Sequence, residues 1–208
     1  MTSLTGWLAP PEHPALGGGE AAVWRLPVGA EQPIESIAAR YLGCSPGSVR
    51  VVRSEAGKPE LDRPDLAVSL THTGDVLLVA VTAGGEVGVD AEVLRPDVAD
   101  WTLVDHALTV SERARLEVLP TADRAESFLR TWSRKEAILK AAGTGLGIDP
   151  RQVDLDGLDV VALPAELGPA GDWTLVDLPL PGYAVALARR GPLERVFLYV
   201  ADGEHETV

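Results

Sequence analysis

The sequence predicts an α+β fold. Strand-like and helical patterns are interleaved along the whole chain, with one or two helices and three or four strands in each half. One long helical run, Asp123 to Ala142, stands out, with Gly143 as its stop. No long low-complexity linker divides the 208 residues, a length that suits one medium domain or two small ones packed together.

Residues 1–20 are rich in Pro and Gly and are expected to be loosely held. "AAVWRLPV" (21–28) reads as a strand. "QPIESIAARYLG" is a helix: Pro33 sits in its first turn, Ile34, Ile37, Ala38 and Tyr41 form the apolar face, and Gly43 stops it. "SVRVVRSEAGKPEL" is a strand running into a turn at Gly57-Lys58-Pro59. "LAVSLTHT" (66–73) alternates as a strand, Gly74-Asp75 turns the chain, and "VLLVAVT" is a buried strand. "VGVDAEVL" (87–94) is the next. In the second half, "DWTLVDHAL" and "TVSERARLEVL" read as helical, the latter with Ser111 as N-cap. After the long helix come three strands, at 172–178, 182–189 and 195–200.

Composition excludes several classes. The net charge of −13 argues against non-specific binding to nucleic acid or to an anionic membrane. It leaves room for a small anionic substrate, because a metal ion and a few local cations reverse the field at one site. No apolar run approaches the roughly 20 residues of a membrane helix, and the first twenty residues lack the basic and apolar regions of a secretory signal. One cysteine, Cys44, excludes an internal disulfide framework and a cysteine-based zinc cluster. A cytoplasmic protein is expected.

Three constellations carry chemistry. In "GVDAEVLRP", Asp90 and Glu92 fall on one face of a strand, roughly 6–7 Å apart at Cα. Two carboxylates so close raise each other's pKa unless a cation lies between them. Magnesium suits such a pair, since it takes oxygen ligands and fills its remaining positions with water and phosphate. Gly88 leaves room for a close approach. Taken alone, the pair reads more often as an ordinary acidic strand end. In "WSRKEAILK", Trp132, Glu136 and Lys140 follow one another at four-residue spacing, and Phe128 extends the line by a turn. Glu136–Lys140 alone reads as a surface ion pair. With a Trp and a Phe on the same face it becomes a site candidate, Glu136 joining the carboxylates and Lys140 meeting phosphate. Lys135 lies about 100° away, either solvated or at the site's edge. In the third, Gly57-Lys58-Pro59 presents one cation as a point charge, and Thr71-His72-Thr73 ends a strand with two hydroxyls and an imidazole.

Together and in order, "GKP" (57–59), "SLTHT" (69–73), "GVDAE" (88–92) and "WSRKEAILK" (132–140) resemble the 4′-phosphopantetheinyl transferases of the larger, surfactin-synthetase-activating type. That family's pattern is Gly-Lys-Pro, Ser-His-Ser, Gly-hydrophobic-Asp-x-Glu and Trp-Ser-x-Lys-Glu-(Ala/Ser)-x-x-Lys. The matched region spans about residues 51–150. The resemblance implies a pseudodimer of two similar α+β halves, 1–92 and 93–208, with coenzyme A in the cleft between them. It implies transfer of the 4′-phosphopantetheine arm of coenzyme A to a serine of an apo acyl- or peptidyl-carrier protein, with release of 3′,5′-ADP, by a monomer.

By the same resemblance, Asp90, Glu92 and Glu136 are the magnesium ligands, with manganese as a substitute. Glu136 is also the candidate base, directly or through a metal-bound water, and Lys140 stabilises charge on the pyrophosphate. Gly57, Lys58, Pro59, Thr71 and His72 contact nucleotide and phosphate. Glu112 matches a family glutamate near the metal. Arg113 and Arg115, between Trp101 and Leu119, are expected to meet an acidic carrier helix. The chain departs from the pattern in carrying Thr-His-Thr for Ser-His-Ser and Ala91 for a larger aliphatic. Before the first helix, where the family carries a basic segment for the 3′-phosphate, it offers Arg25 and nearby Arg40 but no lysine. Two other readings are a non-catalytic carrier-binding relative and a magnesium-dependent nucleotide diphosphate hydrolase.

Overall fold

The computed structural model describes residues 2–96, 101–144 and 147–201. In chain order, β1 (Ser3–Leu8) and β2 (Glu20–Leu26) precede α1 (Pro33–Leu42). A hairpin of β3 (Val51–Arg53) and β4 (Pro59–Leu61) follows, then β5 (Leu66–Thr73), β6 (Val76–Ala83) and β7 (Glu86–Val93). The helices α2 (Trp101–Ala107), α3 (Val110–Glu117) and α4 (Thr121–Ala142) come next. A second hairpin, β8 (Asp154–Asp156) and β9 (Asp159–Ala162), leads to β10 (Trp173–Asp177), β11 (Tyr183–Arg190) and β12 (Arg195–Val200).

The strands build two larger sheets. One has the order β1-β12-β2-β6-β5 and the other β10-β11-β7. Strand β12 lies between β1 and β2, parallel to both, so the last strand among the described residues is built into the sheet that the first ones begin. Alternation along each strand dictates the layers. Ala21, Val23, Val76, Leu78 and Ala80 of the first sheet meet Val87, Val89, Ala91, Val185 and Leu187 of the second in a shared core. The opposite face of the first sheet, with Trp24, Val68 and Val79, packs on Ile34 and Ile37 of α1. The opposite face of the second, with Ala186 and Ala188, packs on Ala137, Ile138 and Ala141 of α4. Helix, sheet, sheet, helix is the resulting order. Fully burying a side chain such as Leu78 or Ile138 in these layers contributes about 1.5–3 kcal/mol.

Gly88 fixes how close α4 comes. A Cβ at this position would collide with the carbonyl oxygen of Ala137 and lie 2.5 Å from the amide nitrogen of Ala141. The helix backbone therefore rests directly on β7, two residues before Asp90. Glu136 and Lys140, which flank that contact on α4, are brought to the carboxylates of β7 by it.

Several sequence expectations are corrected. Residues 3–8 form a strand and are not loosely held: β1 pairs with β12, and the Trp7 indole donates to the carbonyl of Pro179 at 2.6 Å. The partner lies almost the whole chain away, so no local pattern announces it. Ser111 is not an N-cap. Thr109 is, in a reciprocal capping box with Glu112, while Ser111 donates to Asp154 at 2.7 Å. The long helix begins at Thr121, two residues before Asp123. Asp100, at the start of one expected helix, lies outside the described residues.

Candidate active site

The site forms where the odd-numbered face of β5, the strand β7 and the C-terminal half of α4 converge. Asp90 and Thr71 are both buried. The ammonium of Lys140 donates to Asp90 Oδ1 at 2.6 Å and to Thr71 Oγ1 at 3.2 Å, and Thr71 donates to the same Asp90 oxygen at 3.3 Å. The Trp132 indole donates to Glu92 Oε1 at 3.1 Å. The strand and helix patterns thus meet as the spacing predicts, with i and i+2 of β7 facing i and i+4 of α4. Ser69, which the sequence reading did not single out as a functional residue, accepts from the Val89 amide at 3.1 Å and ties β5 to β7 beside the site.

Asp90, Glu92, Trp132, Glu136, Asp149 and Pro150 line a cavity of about 330 Å³. Burial pushes the carboxyl of Asp90 up, against the pull of Lys140. Burial and then the Asp90 charge push Glu92 up, and the same two causes, joined by Glu92, push Glu136 up. Among the described residues, no group of three or more His, Cys, Asp or Glu side chains is drawn together tightly enough to hold a metal ion. The donor set nevertheless fits a hard divalent cation. It is all oxygen, its members repel one another, and Asp90 Oδ2 is buried with no hydrogen-bond partner.

A second cavity, of about 280 Å³, lies across the edge of β5 and is lined by Ile34, Arg53, Gly57, Lys58, Ser69 and Lys140, among others. Lys140 stands between the two cavities. Lys58 reaches the C-terminus of α4 and donates to the carbonyl of Ala141, and its stem packs on Gly143, the left-handed cap of that helix. Burial holds its ammonium below the usual lysine range. Arg53 was not singled out in the sequence. It sits five residues before Lys58, and its guanidinium donates to the Gly57 carbonyl at 2.9 Å, bracing the turn. An arginine at the last strand position before a turn that carries a lysine is the signal that would have found it. The chain has only three lysines, Lys58, Lys135 and Lys140, and the other fifteen cations are arginine. Two of the three line this cavity.

Not every expected residue gathers here. His72 alternates to the opposite face of β5 from Thr71 and is exposed. Lys135 is neither solvated nor at the site's edge: it is fully buried and pairs with Glu112 at 2.5 Å. Glu112 is committed to that pair and to the amides of Thr109 and Leu155, at 2.8 and 2.9 Å. Arg113 is held by Asp105 and Glu117 and lies over the Trp101 ring, while Arg115 donates to the Leu155 carbonyl. Both arginines are engaged within the chain. No helix among the described residues is long and apolar enough to cross a membrane.

Residues 86–188, which contain Asp90, Glu92, Glu136 and Lys140, match the model of the 4′-phosphopantetheinyl transferase superfamily, and the chain belongs to that superfamily. HetI of Nostoc sp., a 4′-phosphopantetheinyl transferase, is 33% identical over 70% of this chain and 62% of its own length. AcpT of Escherichia coli, also named a 4′-phosphopantetheinyl transferase, is 35% identical over 45% of this chain and 48% of its own. The Synechocystis protein slr0495 is 26% identical over 94% of this chain and 85% of its own. The chain thus spans about half to two thirds of HetI and AcpT, and more of slr0495.

Proposed function

We propose that the protein transfers the 4′-phosphopantetheine arm of coenzyme A to a serine hydroxyl of an apo acyl- or peptidyl-carrier protein. The observation that carries this reading is the convergence of Asp90, Glu92, Glu136 and Lys140, the residues of two family motifs, at the junction of two cavities. The cavity of Lys58, Arg53 and Lys140 takes the nucleotide and its phosphates. The carboxylate cavity faces the acceptor serine. The same reading takes residues 1–92 and 93–208 as related halves with the substrate between them. It takes one chain as sufficient, since every named group comes from a single copy.

In the reaction the serine oxygen attacks the β-phosphorus of coenzyme A. The bond from that phosphorus to the bridging oxygen breaks, and the electron pair leaves with 3′,5′-ADP. Glu136 takes the hydroxyl proton, a role favoured by a carboxyl that burial and the Asp90 charge push up. Lys140 places positive charge beside the diphosphate, and Thr71 and Asp90 fix where that charge sits. Asp90, Glu92 and Glu136 would hold a magnesium ion. When bound it would withdraw charge from the diphosphate oxygens.

Intact-mass analysis of apo carrier domains, after incubation with coenzyme A, magnesium and the protein, tests the reading. Gain of one phosphopantetheine arm is the expected result. Coenzyme A bound but intact on every carrier would turn the assignment to a docking protein, and cleavage without a carrier would turn it to a hydrolase.

Two further results are expected. Magnesium at 100 times its Kd should stabilise the wild type by about 2.7 kcal/mol, a rise in Tm of roughly 5–10 °C at this chain length. Asp90→Asn should lose most of that rise in the same thermal melt. Arg53→Ala should raise the KM for coenzyme A roughly tenfold, the loss of one charge-assisted contact of about 1.5 kcal/mol, with kcat nearly unchanged. A steady-state titration of coenzyme A reads the difference.

A further inference from the structure

Lys135 is adjacent in sequence to Glu136 and points the other way, into the protein. Its side chain is fully buried. All three ammonium donors are used: to Glu112 Oε2 at 2.5 Å, to the carbonyl of Ala107 at 2.9 Å and to the carbonyl of Pro150 at 3.0 Å. Glu112 in turn accepts from the Thr109 and Leu155 amides. One ion pair thus ties together the end of α2, the start of α3, the 150–155 segment and α4. Pro150 and its neighbour Asp149 are walls of the carboxylate cavity.

Stability is a poor account of such a pair. Removing two charges from water costs several kcal/mol per ion, and an apolar pair of similar volume often does as well or better. A hydrophobic pair cannot, however, hold two carbonyls at fixed points. We propose that Lys135, with Glu112, is a positioning residue that holds the 148–150 wall against α4, and so fixes the shape of the cavity in which Glu136 meets the acceptor. The proposal rests on the transferase reading.

The test compares wild type with the double variant Glu112→Leu, Lys135→Met, and with Glu112→Gln alone. Four readouts are taken: Tm, the Kd for coenzyme A by calorimetry, kcat for transfer, and hydrogen exchange of peptides covering 147–155. In the double variant the expected results are a Tm below wild type, because the Ala107 and Pro150 carbonyls and the Thr109 and Leu155 amides lose their side-chain partners, and a Kd within twofold. The kcat should fall at least tenfold, and exchange should be faster at 147–155 and unchanged in β7 and β11. A double variant with kcat within twofold of wild type, or with exchange at 147–155 unchanged, overturns the proposal. So does an equal loss of coenzyme A affinity. Should the double variant fail to fold, Glu112→Gln carries the test, because it keeps the shape of Glu112 and removes the counter-charge. It should show the same pattern at smaller size, and an unchanged kcat or unchanged exchange would overturn the proposal. A wild type that modifies no carrier would sink the transferase reading and with it the catalytic role, while exchange would still decide whether the tether exists.

Discussion

Glu136→Gln should reduce transfer by roughly 10²–10⁴-fold in kcat, the range for loss of a positioned proton acceptor, and leave the protein folded. The substitution removes a carboxyl that burial, and then the charges of Asp90 and Glu92, push up from its ordinary range. In the absence of metal the variant should therefore melt at or slightly above the wild-type temperature. The combination is diagnostic: a group kept for stability would lower Tm when lost, whereas this one is kept against stability. Single-turnover transfer followed by intact mass gives the rate. A kcat within threefold of wild type would remove Glu136 from the role of base.

Gly88→Ala is expected to have the largest effect on the fold. The added methyl has nowhere to go, because what it meets is the backbone of α4 at Ala137 and Ala141, which no rotamer change can move aside. Overpacking a core ordinarily costs about 1–3 kcal/mol; displacing a helix from a sheet should cost at least the upper end. Against a total stability of about 5–15 kcal/mol, poor soluble yield is the expected outcome. Whatever folds should show a clearly lower urea midpoint and weakened activity, since the same contact brings Lys140 to Asp90. Gly171→Ala is the control, because a Cβ there has nothing within 4 Å, and its midpoint should stay close to wild type. Equal midpoints for the two variants would refute the close-contact account.

The site was more legible than its surroundings. Asp90 and Glu92 at a spacing of two, and Trp132, Glu136 and Lys140 at a spacing of four, are set by local geometry, and the strand and the helix do present them together. Thr71 follows from the alternation of β5. The same alternation sends His72 to the other face, which a motif read as a block conceals. What escaped depends on distant partners. The burial of Lys135 is decided by Glu112, on a different helix, and by the carbonyls of Ala107 and Pro150. The strand β1 exists because β12 returns to lie beside it. Asp149 enters the cavity only through the path of the chain after α4. In the capping box a local signal was present, in "TVSE", and the more familiar serine obscured it.

The distribution of lysine gives this protein an unusual chemical fingerprint. With Lys135 sealed in the core, Lys140 about one-third exposed and Lys58 half-buried in the cleft, the exterior carries guanidinium groups and no side-chain amine. A mild acylating reagent, which reacts with amines and spares arginine, has almost nothing to attack outside the cleft. Isotope-coded acylation would therefore act as a built-in footprint. Protection of Lys58 and Lys140 reports occupancy of the cleft by any ligand, and labelling of Lys135 reports that the interior has opened, with no engineered tag and no knowledge of the reaction required.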